Sequence, residues 1–198
     1  MKKESEKRKN SPKNPIKSLL LEDGLLIQSL DEADQLLLKG YGKKVKEGVK
    51  LNFYEGLYLL SRGTIEVWDE INGEKITFEE LLEKSRKYDE DSWVKYLIYR
   101  DLRSRGYVVR EGFGLGIDFR VYERGKYGKE AADHLIYGIK EGRPILIRDL
   151  SKALNYVQNL KKKLILAVWN RRGEVVYYSL SKLVFKREEK GILKNNSK

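Results

Sequence analysis

The sequence predicts an α+β protein. A small N-terminal α+β domain over residues 15–88 is followed by a C-terminal domain over 89–185, in which a mixed sheet is flanked by helices. Three observations predict this. The 198 residues fit one generous domain or two small ones. Apolar residues recur at helical spacing on either side of a charged linker at 87–91. Beyond Gly106 the pattern turns strand-rich.

The elements can be justified in order. Residues 1–14, rich in Lys with Ser11 and Pro12, read as a disordered basic tail, and 186–198 as a basic tail. Residues 19–30 read as short strands turned at Asp23-Gly24. Residues 36–41 read as a helix end running into Gly40-Tyr41-Gly42, where a turn outweighs a phosphate-loop reading. A helix over 51–62 places Phe53, Leu57 and Leu60 on one face and stops at Gly63; a strand follows at 65–68. Thr77 and Glu80 form a capping box that starts the next helix. Asp91 or Ser92 caps another, with Val94, Leu97, Ile98 and Leu102 inward and Gly106 at its end. Strands are expected at 107–110, 116–122 and 134–139, a helix at 150–162, and strands at 164–169 and 174–180 joined by an Asn170-Arg171-Arg172-Gly173 turn.

Composition narrows the chemistry. The chain has no cysteine and one histidine, His134, so neither a zinc cluster nor a Cys–His mechanism can be built. No apolar run approaches a membrane span and no apolar stretch follows the basic N-terminus, which predicts a cytoplasmic protein with no membrane partner. Abundant Lys, Arg and Glu suit a thermophile. The net charge of +11 permits a nucleic-acid partner, but residues 1–17 carry seven Lys/Arg against two Glu and 186–198 carry five against two, leaving +3 between them.

A tyrosine, a lone histidine and a lysine, in that order, are what a metal-free RNA-cleaving site requires. Tyr122 ends a strand, His134 begins one, and Lys161-Lys162-Lys163 precedes an apolar strand. Each has a plainer reading: Tyr122 as interfacial packing, His134 as a structural histidine, and the lysine run as a cationic helix end. Tyr127 competes with Tyr122.

The run Tyr96-Leu97-Ile98-Tyr99-Arg100-Asp101-Leu102-Arg103-Ser104-Arg105-Gly106-Tyr107-Val108-Val109, followed by Gly116-Ile117-Asp118-Phe119-Arg120-Val121-Tyr122, resembles the catalytic domain of archaeal tRNA-splicing (tRNA-intron) endonucleases. The likeness continues through His134-Leu135-Ile136-Tyr137 and Lys161-Lys162-Lys163-Leu164-Ile165-Leu166-Ala167. Glu55-Gly56-Leu57-Tyr58-Leu59-Leu60-Ser61-Arg62-Gly63 with Ile65-Glu66-Val67 resembles the family's N-terminal domain. The resemblance implies a C-terminal nuclease domain and cofactor-free, metal-independent cleavage of precursor tRNA at a bulge-helix-bulge. The products would be a 2′,3′-cyclic phosphate and a 5′-hydroxyl. It assigns Tyr122 as general base, His134 as general acid and Lys162 as electrostatic stabiliser, with Lys162 chosen from its run by alignment.

The resemblance also implies an oligomer in which an acidic loop enters a neighbour's basic groove and C-terminal strands pair. Here the corresponding loop, Lys140-Glu141-Gly142-Arg143-Pro144, has one acid among its cations, which favours a heterotetramer with a structural subunit over a homotetramer. Val175-Val176-Tyr177-Tyr178 suits a dimer surface or a core strand equally. The family pinches a bulge base between arginines, yet 151–160 holds no Arg, so the candidate RNA contacts are Arg120, Lys152 and Arg171. Two rival readings are a metal-dependent nuclease built on Asp118 and a non-catalytic RNA-binding subunit of the splicing complex.

Overall fold

The computed structural model describes residues 14–183, so nearly all of both expected tails lies outside the described residues. The first half runs β1 (Ile16–Leu21), β2 (Gly24–Ile27), α1 (Leu30–Leu38), β3 (Lys43–Val45), β4 (Gly48–Leu51), α2 (Phe53–Ser61), β5 (Ile65–Trp68), β6 (Lys75–Ile76) and α3 (Phe78–Tyr88). The second half runs α4 (Ser92–Ser104), β7 (Val108–Gly114), β8 (Ile117–Tyr122), β9 (His134–Lys140), α5 (Ile147–Asn159), β10 (Lys163–Trp169) and β11 (Val175–Leu180). The α+β class and the mixed sheets are as expected: the first sheet is ordered β3-β4-β2-β1-β5-β6 and the second β11-β10-β9-β8-β7. Each has one parallel pair, β1 with β5 and β9 with β10.

Local chemistry explains where the elements start and stop. Asn52 and Glu55 form a capping box at α2, so Leu51 is the last residue of a strand, not the first of a helix. Thr77 and Glu80 form the expected box at α3. The Gly40-Tyr41-Gly42 segment is a turn: both glycines have positive φ, and the Gly42 N–H donates to the Glu55 carboxylate at 3.0 Å. The helix expected at 150–162 begins and ends three residues earlier, at Ile147 and Asn159. It stops because Lys161 adopts a left-handed φ of 55°, with its N–H bonded to the Gln158 carbonyl and that of Lys162 to the Val157 carbonyl. The lysine run therefore lies beyond the helix and does not close it.

One hydrophobic core runs through both halves. α2 packs on α4, and Tyr54 meets Tyr99 and Phe119 with ring centroids 5.0 and 5.1 Å away. Phe119 of β8 and Tyr99 of α4 are fully buried. α5 covers the other face of the second sheet, setting Ala153 and Val157 against Leu135 and Leu164. This layering leaves one end of the second sheet open, where β8 finishes and β9 and β10 begin.

Candidate active site

Strand register assembles that open end. His134 pairs with Val121 of β8 on one side and Lys163 of β10 on the other. One step outward along the same strands lie Tyr122, Asp133 and Lys162, and the Lys163 N–H donates to the Asp133 carbonyl at 3.0 Å. Tyr122, His134 and Lys162 are thus brought to one mouth of the sheet, although the loop from 123 to 133 separates the first two in the chain and α5 the last two.

They do not share one face. Residues opposite each other across a ladder project to the same side, and successive residues alternate. His134 therefore sides with the buried Val121 and with Lys163, and Tyr122, next along β8, with the opposite face; Asp133 and Lys162 lie just before β9 and β10, outside the ladder. These last two meet through their side chains: Lys162 Nζ lies 3.9 Å from the Asp133 carboxylate.

The loop from 123 to 133 is folded around two side chains. The Tyr127 ring stands edge-on to that of Tyr122, with centroids 5.2 Å apart, and it also lies close to Gly40, just past the end of α1, where a side chain in place of the glycine hydrogen would crowd it. Lys126 gathers Glu123 at 3.1 Å, Glu130 at 3.4 Å and Asp133 at 3.6 Å. Glu123 foremost, and then Glu130, hold the Lys126 pKa above the ordinary lysine value. Both tyrosines stand at the mouth, and Tyr122 is the one on the strand.

Asp118, the acid of the metal-dependent alternative, is engaged elsewhere. Burial raises its carboxyl pKa against the pull of Lys95, 3.5 Å away, and it accepts the Gly138 N–H at 2.7 Å. Among the described residues no three His, Asp or Glu side chains gather as a metal-binding group.

The sequence matches two family models, the tRNA intron endonuclease N-terminal domain over residues 16–82 and the tRNA intron endonuclease catalytic C-terminal domain over 92–177. It is 34% identical over 172 residues to the tRNA-splicing endonuclease of Methanococcus maripaludis, covering 87% of this chain and 97% of that one.

The chain belongs to the tRNA intron endonuclease family.

Other archaeal members resemble it as closely. The Thermococcus onnurineus tRNA-splicing endonuclease is 34% identical over 174 residues, covering 87% of this chain and 99% of the relative. That of Pyrococcus furiosus is 35% identical over 143 residues, covering 72% and 81%. The chain is thus an endonuclease of the family that excises introns from precursor tRNA, with its catalytic domain built on the second sheet.

Within this family member the three expected RNA contacts are scattered. The Arg120 guanidinium donates to the Glu111 carbonyl at 2.7 Å and lies over the Phe113 ring at 4.6 Å. It also lines a cavity of about 760 Å³ between the two sheets, with Lys43, Lys50, Lys95 and Arg110. Lys152 is exposed on α5, about two turns before the helix end. Arg171 sits in the β10–β11 turn, a strand's length of about 20 Å from Lys162, where its backbone N–H donates to Glu141 at 2.7 Å. Asp133 and Lys126 were absent from the sequence-based candidates. The signal for Asp133 was its place just before a strand-opening histidine.

Proposed function

We propose that this chain excises introns from precursor tRNA by metal-independent cleavage at a bulge-helix-bulge, leaving 2′,3′-cyclic phosphate and 5′-hydroxyl ends. The observation that carries this is the convergence of Tyr122, His134 and Lys162 at the mouth of the second sheet. Tyr122 takes the proton from the ribose 2′-OH, and the freed oxygen attacks the adjacent phosphorus. Lys162 stands beside the phosphorane as its negative charge grows. The P–O5′ bond breaks and His134 gives the leaving oxygen its proton, completing the cyclic phosphate and the 5′-hydroxyl. A phosphate seated over the strand ends is approached from both faces of the sheet, with Tyr122 on one side and His134 on the other. An unpaired bulge nucleotide can turn its 2′-OH into line with the P–O5′ bond, whereas an A-form duplex cannot.

The protein acts as an oligomer in the cytoplasm, in a heterotetramer with a structural subunit. Its own loop at 140–144 is a poor acidic plug and is held to its own chain: Glu141 accepts from the Arg171 N–H, and Arg143 pairs with Asp91. In the cleft between the sheets Lys50, Lys95 and Arg110 are paired with Asp23, Asp89 and Glu55, which leaves Lys43 and Arg120 as the cations it offers a partner's acidic loop among the described residues, and β11 lies at the outer edge of its sheet, where another strand can pair.

One observation favours a second reading, a non-catalytic RNA-binding subunit: the Asp133 carboxylate lies beside Lys162, where a proton donor is wanted. The deciding experiment is cleavage of a bulge-helix-bulge RNA in EDTA by the purified chain, with product ends identified, beside His134→Ala. Cyclic-phosphate ends from the parent, and loss of cleavage with RNA binding kept in the variant, support the enzyme. Undiminished cleavage by His134→Ala removes His134 from the mechanism. A parent chain that binds the RNA and cuts only with a second, catalytic subunit supports the other reading.

A further inference from the structure

We infer that Asp133 is the positioning residue for the cation of this site. Its carboxylate holds the Lys162 ammonium at the sheet mouth and ties to it the loop that carries Tyr127. The inference rests on the reading in which Lys162 faces the scissile phosphate.

Asp133 immediately precedes β9 and Lys162 immediately precedes β10, next to the end of β8 at Tyr122, and it is the contact between the two side chains that places the carboxylate beside the ammonium. Its two carboxylate oxygens serve different partners: Oδ1 lies 3.9 Å from Lys162 Nζ, and Oδ2 lies 3.6 Å from Lys126 Nζ. Lys126 already has closer carboxylates in Glu123 and Glu130, so Lys162 is the partner that Asp133 alone serves among the described residues. The Asp133 backbone acts in the same sense, since its carbonyl accepts the Lys163 N–H and fixes the start of β10 immediately after Lys162.

A carboxylate placed beside a phosphate site repels RNA unless it organises a cation that attracts it more strongly. At 3.9 Å the pair is an ion contact longer than a hydrogen bond, so the ammonium is aimed but free to turn toward a phosphate oxygen. A lysine stem has many rotamers, and restricting them before the phosphorane forms is the preorganisation that electrostatic catalysis needs.

Two measurements on the full chain test this, with any partner subunit that cleavage requires present. The first is the acylation rate of individual lysines, followed by mass spectrometry, in the parent and in Asp133→Asn. Faster labelling of Lys162 in the variant is expected; equal rates overturn the inference whether or not the preparation cleaves RNA. The second is single-turnover cleavage of a bulge-helix-bulge RNA. Asp133→Asn should slow the chemical step about tenfold, with RNA affinity and melting temperature unchanged, and Asp133→Glu should recover part of the rate. A variant as fast as the parent overturns the inference, as does a slower one whose RNA affinity or melting temperature falls in proportion. Lys162→Ala, run alongside, separates the two levels. If it cleaves like the parent, the assignment of Lys162 itself fails; if it is impaired while Asp133→Asn is not, only the role of Asp133 fails.

Discussion

Tyr122 and Tyr127 stand 5.2 Å apart with their rings nearly perpendicular, and the proposed mechanism separates them. Tyr122→Phe should lower single-turnover cleavage roughly a hundredfold or more, the scale of a lost general base, while Tyr127→Phe should stay near the parent rate. The reverse result would move the base into the loop. Away from the mouth, Glu55 is almost fully buried. Its two oxygens accept the Gly42 and Asn52 N–H groups at 3.0 Å each, and Arg110 lies 3.6 Å away. Glu55→Gln keeps the size but can accept only one of those amides and leaves Arg110 unpaired, so chemical denaturation should show a loss of about 1–3 kcal/mol. Burial raises the Glu55 pKa. A carboxyl that holds its proton more tightly folded than unfolded adds stability below its ordinary range, and that addition is lost as pH rises through the raised value. The gap between parent and Glu55→Gln should therefore widen as pH falls from neutral through the carboxylate range. Composition singled out His134 alone, the one histidine in the chain; Tyr122 and Lys162, among many tyrosines and lysines, were expected beside it from the family resemblance. Which face each side chain takes was not legible, because it depends on a register between strands far apart in the chain.

At the scale of elements, what could be read was whatever carried its own punctuation. Thr77 and Glu80 announced α3, and the structure shows the Glu80 N–H donating to Thr77 Oγ1 and the Thr77 N–H donating to Glu80. Thr77→Ala should cost about 1 kcal/mol, visible as a modest drop in melting temperature, with cleavage unaffected because α3 lies far from the mouth. The β3–β4 hairpin escaped notice because Lys43–Val45 is short and lysine-rich, and its pairing with Gly48–Leu51 is decided by the sheet. The end of α5 was misplaced for a related reason. Lysine is a good helix former, so nothing local marks Lys161 as the left-handed residue that turns the chain into β10.

For the whole molecule, the two expected domains meet at the charged linker between α3 and α4, and the aromatic contacts of Tyr54 and Tyr58 with Tyr99 and Phe119 join both halves in one core. Calorimetry of the assembled protein should therefore show the two halves melting in one transition, and Phe119→Ala, at about 3–5 kcal/mol, should lower that transition without splitting it. Two separate peaks would mean the shared core does not couple the halves. The same architecture sets an order of events during synthesis. Tyr122 leaves the ribosome early, but Lys162 follows only after all of β9 and α5, and β10 must then insert beside β9 in parallel. A nascent chain therefore has its tyrosine in place well before its lysine, and under the proposed mechanism it cuts no RNA near the translating ribosome until almost all of its fold has closed.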